Sequence, residues 1–321
     1  MTMVIRVFAF LGFVGLISAQ CTPQNCKLPL CRCYGDGTVP GGLATNVTPQ
    51  IVLITLGFEI DSEYRDLYKS LFTVRNPNGC PITGTIFVQD SGSDFGMVKD
   101  FYDSKFEIGI QSDLIKPTDQ KGWDDTVKKV YDHLTLAGIK DTDIRGLRAG
   151  QLNPGGQMEF ISLGNEKMLY SMDCVSTSGS YGWPYTFDIP DTRNVCTTGT
   201  MPLSSFPGKW GVPISALSFK NTTCATAAGC VQVVQTKQDA FDLFYNNFLL
   251  HYNGNKGPYV VEIDPQWAKN QDYLDGTIQF IEYVRAAHDD VWMITAWQAI
   301  QWTQTPVPLA NLSDFQPWKC T

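Results

Sequence analysis

The sequence predicts an α/β fold in which strands and helices alternate around a parallel sheet. Apolar, β-branched runs such as 50–58 and 259–264 are typical of buried strands, and segments such as 61–72 and 271–287 carry apolar residues at helical spacing. Repeated βα units form parallel sheets, so the seven or eight units along this chain predict a closed or nearly closed barrel. About 300 residues after the N-terminal segment are enough for one such domain.

The individual elements follow from local patterns. Apolar runs predict strands at 50–58, 84–89, 106–111, 144–149, 169–174, 259–264 and 291–295. Helical spacing predicts helices at 61–72, 95–102, 123–136, 239–250, 271–287 and 296–302. Asp61 or Ser62 is suited to cap the first helix, and the last helix should end before Pro306.

Residues 176–213 interrupt this alternation. The segment is rich in Gly, Pro, Ser and Thr, and it carries Trp183, Tyr185 and Trp210. A long loop inside a compact domain is usually functional, and barrel enzymes place their sites at the carboxyl ends of the strands. The loop is therefore expected to contribute to a site.

The first 19 residues have the pattern of a secretory signal peptide. Arg6 precedes an apolar run at 7–17, and the small residues Ser18 and Ala19 precede Gln20. The run is too short to span a bilayer of about 30 Å. We expect a secreted, soluble protein that starts near Gln20, with a Cys-rich segment at 20–45 and the barrel at 46–321.

The cysteines support an oxidising compartment. An even number, ten, follows the predicted cleavage site, which favours disulfide bonds over zinc. A zinc site at the crowded 21–33 segment is the alternative, but no His lies nearby and the spacing fits no zinc finger. The pairing is not predictable from the sequence. The residues are Cys21, Cys26, Cys31, Cys33, Cys80, Cys174, Cys196, Cys224, Cys230 and Cys320.

Sequons and net charge narrow the class of partner. Asn46, Asn221 and Asn311 begin N-x-S/T sequons, which accept glycans on the surface of secreted proteins. The net charge of −8 argues against nucleic acid, which requires basic patches. A neutral polymer or a cationic surface is compatible with this charge.

Short motifs in a fixed order resemble one known family. They are CKLPLCRC at 26–33, PGG at 40–42, VTPQI at 47–51, NPNGC at 76–80, GLRA at 146–149, WPYT at 183–186, IQW at 300–302 and DFQPW at 314–318. Together they resemble the arthropod chitin deacetylases, within the NodB-type polysaccharide deacetylases of carbohydrate esterase family four. The resemblance implies a distorted (β/α)7-type barrel with a disulfide-rich N-terminal leader and a site for chitin.

The resemblance also implies a catalytic set, and this chain departs from it. Family members hold a Zn²⁺-like metal with one Asp and two His, and a second Asp acts as the base. The base position falls on Gly57, the metal Asp on Phe58, and the metal His positions on Gln111 and Ile115. Phe and Ile have no metal ligand and Gln is a weak one, so we expect no zinc and no other cofactor.

The acid and the arginine of the family pattern complete the comparison. The late His-x-His falls on Glu262 and Asp264, so the family acid is replaced as well. Arg148 is retained, but the base that it would orient is a glycine here. We expect Arg148 to form a structural ion pair at a strand end, with Asp173 as one potential partner.

The carboxylates and histidines of the chain raise two other possible kinds of site. The carboxylates Glu59, Asp61, Asp113, Glu262 and Asp264 end predicted strands and could form a replacement site for Ca²⁺ or Mn²⁺. The alternative is that they are solvated or paired. A Ser-His-Asp triad is disfavoured, because the chain has no G-x-S-x-G motif and its three His fall elsewhere.

Aromatic residues are the remaining candidates for sugar contact. Chitin presents flat apolar sugar faces that stack on Trp and Tyr rings. Trp183 and Tyr185 match the substrate loop of the family, and Trp123 follows the second motif. Core packing is the alternative for these residues, and it is favoured for Trp292, Trp297 and Trp302.

The sequence thus predicts a secreted, catalytically inactive chitin deacetylase-like protein. It would bind chitin as a monomer in an extracellular matrix such as a gut lining or a cuticle, without contacts to nucleic acid or membrane. One alternative is an active deacetylase with a rewired carboxylate metal site. Another is a non-enzymatic secreted protein, unrelated to chitin, on a borrowed fold.

Overall fold

A computed structural model describes residues 20–112, 115–176, 182–191, 193 and 195–320. The predicted signal peptide at 1–19 lies outside these residues, and so does Asp113. No helix among the described residues is long and apolar enough to cross a membrane.

The described residues form thirteen strands, which are numbered in chain order. They are β1 Gln50–Phe58, β2 Thr85–Val88, β3 Glu107–Gln111, β4 Gly146–Arg148, β5 Tyr170–Ser171, β6 Val175–Ser176, β7 Tyr185–Phe187, β8 Phe206–Gly211, β9 Ile214–Ser215, β10 Leu217–Phe219, β11 Thr222–Cys224, β12 Tyr259–Ile263 and β13 Val291–Met293.

Eight α-helices lie between or after these strands in the part of the chain that the structure describes. They are α1 Ser62–Ser70, α2 Phe95–Asp103, α3 Gln120–Leu136, α4 Gln157–Asn165, α5 Lys237–Tyr252, α6 Pro265–Lys269, α7 Gln271–Ala287 and α8 Ala296–Gln304.

The main sheet confirms the α/β prediction. Its order is β12-β1-β2-β3-β4-β5-β8-β7, and every neighbouring pair is parallel except β8 with the antiparallel β7. β13 also pairs in parallel with β1, at residues 50–52, whereas β2 pairs at 55–58. The two small sheets are β10-β11 and β6-β9.

Strand alternation separates two hydrophobic cores. On β1, Val52, Ile54 and Leu56 pack into a cluster with residues of the surrounding helices. Ile51 and Leu53 belong to a second cluster, which contains Trp183, Trp302 and other residues inside the curved sheet. Successive side chains of a strand point to opposite faces, so residues 51, 53, 55 and 57 all face this interior.

The structure pairs all ten cysteines. The disulfides are Cys21–Cys33, Cys26–Cys31, Cys80–Cys320, Cys174–Cys196 and Cys224–Cys230. The disulfide prediction is confirmed, including the two bonds that form the N-terminal leader. The zinc alternative for residues 21–33 does not apply to this structure, because these sulfur atoms are bonded to one another.

Several elements were not predicted, among them α4, α6 and the strands β6 to β11. α4 was not predicted, because Gly155, Gly156 and Gly164 weaken its helical pattern. The long loop at 176–213 holds the antiparallel strands β7 and β8, which its Gly, Pro and Ser content concealed. Trp210 lies on β8 and is buried.

Candidate functional site

Alternation along four strands brings polar side chains together inside the barrel. Glu262 of β12 pairs in register with Thr55 of β1, and Gln111 of β3 pairs with Arg148 of β4. All lie near the carboxyl ends of their strands, where barrel enzymes place active sites. Gly57, Gln111, Arg148 and Glu262 are called the strand-end cluster below.

Arg148 is held rigidly within this cluster. Its Nη2 donates to Thr55 Oγ1 at 3.0 Å and its Nε donates to the Met172 carbonyl at 3.1 Å. The guanidinium lies 4.1 Å from the centroid of the Phe87 ring, in a cation–π contact. Only 1% of Arg148 is exposed, so its position depends on these partners and not on solvent.

The charge of Arg148 is balanced by Glu262. Arg148 Nη1 lies 3.7 Å from Glu262 Oε1, which is an ion pair without a hydrogen bond. Burial raises the pKa of Glu262 to about 7, although the positive charge of Arg148 opposes the rise. Burial also lowers the pKa of Arg148. The expected ion pair therefore forms, with Glu262 rather than Asp173 as its acid.

The family base position, Gly57, is surrounded by the other members of the cluster. A Cβ built on Gly57 would lie 2.9 Å from Gln111 Oε1, 3.5 Å from Arg148 Nη1 and 3.6 Å from Glu262 Oε1. Gln111 is 2% exposed, and its Nε2 has no hydrogen-bond partner. Polar side chains of the cluster thus crowd the place where a carboxylate would stand, and a carboxylate there requires Gln111 to move.

The positions of the family metal ligands do not form a metal site. Phe58 is half-buried and has a φ of 80°, a left-handed value that is strained for a bulky residue. Ile115 is 85% exposed, so it does not enter the cluster. Phe58 and Ile115 offer no donor atom, and the side chains at these positions do not fit a Zn²⁺ ion.

The other carboxylates have structural roles. Asp61 caps α1 by accepting from the Glu63 and Tyr64 amides at 2.9 and 3.0 Å, and Asp264 caps α6 by accepting from the Trp267 amide at 2.7 Å. Glu59 accepts from Gln89 Nε2 at 3.1 Å.

No three carboxylates or histidines gather within metal-binding distance among the described residues. Among the described residues, the one group of potential ligands that lies close enough together consists of cysteines, and these are disulfide-bonded. The described part of the chain therefore gives no geometric support to a rewired carboxylate site.

The aromatic residues predicted to stack on sugar are buried. Trp123 is fully buried, Trp183 is 2% exposed, and Tyr185 is 3% exposed. Trp183 stacks on Trp302 with ring centroids 5.3 Å apart, and Tyr185 meets the Tyr34 ring edge-to-face at 4.7 Å. A stacking platform needs an exposed ring face, so this structure places all three residues in the core.

A buried carboxyl pair was not predicted. Glu159 of α4 and Asp173 both accept from the Ser171 hydroxyl, at 3.0 and 2.8 Å, and a single hydroxyl hydrogen cannot serve both. Burial first, and then the charge of Asp173, raise the pKa of Glu159 well above its usual value. The two carboxyls also accept from the Gly155 and Ala149 amides, so they fix the loop that follows Arg148. Glu159 could not be identified from the sequence, because α4, the helix that carries it, was not predicted.

Comparison with known proteins identifies the fold. A crystal structure named as a polysaccharide deacetylase from Mycobacterium smegmatis superposes with a TM-score of 0.56 and 15% identity, over 83% of this chain and 94% of that one. No family model matches the chain. The protein therefore has the (β/α)7-type fold of the NodB-type polysaccharide deacetylases, as predicted.

Comparison by sequence identifies relatives that share one name. Chitin deacetylase 1 of Bombyx mori is 28% identical over 323 residues, which cover 93% of this chain and 59% of that relative. Chitin deacetylase 8 of Bombyx mori is 28% identical over 320 residues, which cover 94% of this chain and 83% of that relative. The resemblance predicted from the motifs is confirmed, because the chain is similar in sequence to two proteins named chitin deacetylase.

Proposed function

We propose that this protein is a secreted chitin-binding protein that has lost deacetylase activity. The observation that carries the proposal is the strand-end cluster, in which Gly57 stands at the base position and is crowded by Gln111, Arg148 and Glu262. The relatives named chitin deacetylase support chitin as the ligand.

The loss of activity follows from the chemistry of amide hydrolysis. Deacetylation requires an activated water, a base to deprotonate it and an acid for the leaving amine. Gly57 cannot accept a proton, and Phe58 and Ile115 cannot hold a metal ion. Glu262, with a pKa of about 7, is the remaining proton carrier of the cluster, but it faces Arg148. A single carboxyl without a nucleophile does not replace the family machinery.

Chitin binding then depends on a surface other than the predicted aromatic platform. Trp123, Trp183 and Tyr185 are buried, whereas Phe58 is half-buried at the carboxyl end of β1. A partly accessible ring at this edge is suited to stack on an apolar sugar face. We therefore assign sugar contact to Phe58, which stands where the family has a metal ligand.

The extracellular location is supported by the described residues. All ten cysteines are disulfide-bonded, and such bonds persist in oxidising compartments. Asn46, Asn221 and Asn311 are all exposed, as glycan acceptors must be. We propose that the mature protein begins near Gln20, is glycosylated at these three positions and acts as a monomer.

Acetate release from chitin oligomers tests the loss of activity. The purified protein should release no more acetate than the buffer blank, with or without added Zn²⁺ or Mn²⁺. Acetate release that a chelator abolishes would instead establish the rewired enzyme. Loss of that release in Glu262→Gln would assign the activity to the strand-end cluster.

Retention on chitin beads tests the binding function. The protein should be retained even at 1 M salt, because stacking on a neutral sugar is insensitive to screening. Phe58→Ala should reduce retention at least about threefold, whereas Leu136→Ala, which removes a side chain that is 83% exposed on α3, should not. Lack of retention of the parent protein at any salt concentration would reject chitin as the ligand.

A further inference from the structure

A cleft lies on the N-terminal leader, apart from the strand-end cluster. Its volume is about 510 Å³, and it is lined by Arg193 and by most, but not all, of the residues between Cys21 and Gly42. Small-molecule sites typically occupy about 300 to 1,000 Å³. The two leader disulfides, Cys21–Cys33 and Cys26–Cys31, form part of the wall, so the cleft is built on a covalently fixed segment.

The charge of this cleft is opposite to that of the whole chain. Lys27, Arg32 and Arg193 line it, and Asp36 is the acidic residue among the lining residues. The chain as a whole carries a net charge of −8. A local excess of positive charge on an acidic protein raises the local concentration of anions and disfavours cations.

The three cations differ in their freedom to bind a ligand. Arg32 is 5% exposed, and its guanidinium is occupied by Asp36 and by the carbonyl oxygens of Asp36 and Thr38, although its Nε has no hydrogen-bond partner. Lys27 is exposed and forms no ion pair with any described residue. Arg193 is 68% exposed, and its Nε and Nη2 donate to the Asp191 carboxylate, which does not line the cleft.

The cleft also has an apolar side. Tyr34 is half-buried there, with its ring edge-to-face against Tyr185 and the Arg193 guanidinium 5.9 Å from its centroid. Leu28 lies in the same wall. A sugar ring is apolar on one face and carries hydroxyl groups at its edges. It matches this lining because its apolar face can pack on Tyr34 while its hydroxyl groups stay hydrated.

We propose that this cleft binds an acidic saccharide, with its carboxylate or sulfate groups against Lys27 and Arg193 and a sugar ring against Tyr34. Arg32 adds positive charge to the cleft. It also holds residues 36–38 in place by donating to the Asp36 and Thr38 carbonyl oxygens. The leader disulfides are typical of an oxidising compartment, which includes the cell exterior. The cleft is thus a second carbohydrate site. It prefers an anionic saccharide, whereas the proposed chitin ligand is neutral.

Calorimetric titration with defined oligosaccharides tests this site. The probes are galacturonate oligomers, which carry carboxylates, chondroitin sulfate oligomers, which carry sulfates as well, and neutral chitin oligomers. At least one acidic probe should bind, and its affinity should fall at least about tenfold between 50 mM and 500 mM salt, because exposed charges are screened. Binding of galacturonate would identify carboxylate as sufficient, and binding of chondroitin sulfate alone would identify sulfate as required.

Exposed residues of the cleft provide the variants. Lys27→Gln and Arg193→Gln should each weaken the acidic probe about threefold or more, and the double variant about tenfold or more. Arg65→Gln is the matched control, since Arg65 also forms a sequence-local surface ion pair, with Asp66. Equal affinity of the double variant and the parent, or equal weakening by the control, would overturn the proposal.

A steric variant separates a true cleft from general charge attraction. Gly42 lines the cleft with a φ of 68°, and a Cβ built there meets no atom within 4 Å. Asn tolerates this left-handed conformation, so Gly42→Asn should add an uncharged group without displacing a neighbour. It should weaken the acidic probe at least about threefold and leave retention on chitin beads unchanged. Failure of every acidic probe to bind the parent would overturn the site, whatever the chitin result.

Discussion

The identity of single residues decides the chemistry of the strand-end cluster. The resemblance assigns two carboxylate positions to Gly57 and Phe58, and two imidazole positions to Gln111 and Glu262. The structure shows how the remaining polar groups accommodate this change. Glu262 forms the ion pair with Arg148. Gln111 lies next to the Gly57 Cα, where a side chain would otherwise project. A buried ion pair of this kind makes the cluster sensitive to pH, because burial penalises the charged carboxylate.

The Glu262→Gln variant should change the pH dependence of stability. Burial raises the pKa of Glu262 from 4.5 to about 7, so its contribution is fully present below about pH 4.5 and is lost as the pH rises through 7. The shift corresponds to about 3 kcal/mol of unfolding free energy. The unfolding free energy of Glu262→Gln relative to the parent should therefore rise by about that amount between pH 4.5 and pH 8, in urea titrations.

His251 provides an internal comparison for this measurement. Burial lowers the pKa of His251 to about 4, so its contribution is present above about pH 6.5 and is lost as the pH falls through 4. The parent curve combines the two opposing slopes, and Glu262→Gln should reveal the His251 slope. Parallel curves for parent and variant over the whole range would show that Glu262 is not perturbed.

At the scale of elements, the sequence predicts the strongly patterned segments well. β1 and α7 have the predicted bounds, since a continuous apolar run and regular helical spacing define them. β4 and β5 are shorter than predicted, because only a few of their residues reach a partner strand. The hairpin of β7 and β8 was not predicted, because Gly211 packs against the Tyr185 ring and this tertiary contact overrides weak local propensity.

The candidate site was predictable only in part, because some of its residues lie in local motifs and others depend on tertiary contacts. Strand ends and family motifs identified Gly57, Arg148 and Glu262 from sequence. The contact of Gln111 with Gly57, and the burial of Trp183 and Tyr185, depend on how strands distant in sequence curve around one interior. A sequence pattern predicts to which side of its strand a side chain points. It does not predict which distant residues pack on that side.

Helix α6 offers a test of the role of Asp264. Its side chain caps this five-residue helix through the Trp267 amide. Asp264→Ala should cost about 1 kcal/mol of unfolding free energy, whereas Asp264→Asn should be close to neutral, because Asn is an equally good N-cap. Chemical denaturation measures both. Asp61→Ala, at the N-cap of α1, is the matched control and should cost a similar amount.

An equal loss for Asp264→Asn and Asp264→Ala would contradict a capping role. It would show that the carboxylate, which both substitutions remove, is required, as a carboxylate metal site demands. The comparison therefore bears on the rewired enzyme without relying on an activity assay.

At the scale of the whole molecule, the C-terminal segment is joined to the second strand unit. Cys320 is bonded to Cys80, shortly before β2, across 240 residues of sequence. Asn78 Nδ2 donates to the Trp318 carbonyl at 2.9 Å, and the Trp318 ring lies 5.2 Å from Trp292 of β13. These contacts connect the end of the chain to the amino-terminal side of the sheet. Stability of the barrel should therefore depend on this single covalent link.

Removal of the Cys80–Cys320 bond should destabilise the protein more than removal of a local bond. In the chain-entropy model, a disulfide stabilises by restricting the unfolded chain, and its effect grows with the enclosed loop. The bond that spans 240 residues should contribute about 5 kcal/mol, and the Cys224–Cys230 bond, which spans 6, about 2 kcal/mol. The paired substitutions Cys80→Ala with Cys320→Ala, and Cys224→Ala with Cys230→Ala, should differ accordingly in urea unfolding. Equal losses for the two pairs would show that loop closure does not govern the stability of this barrel.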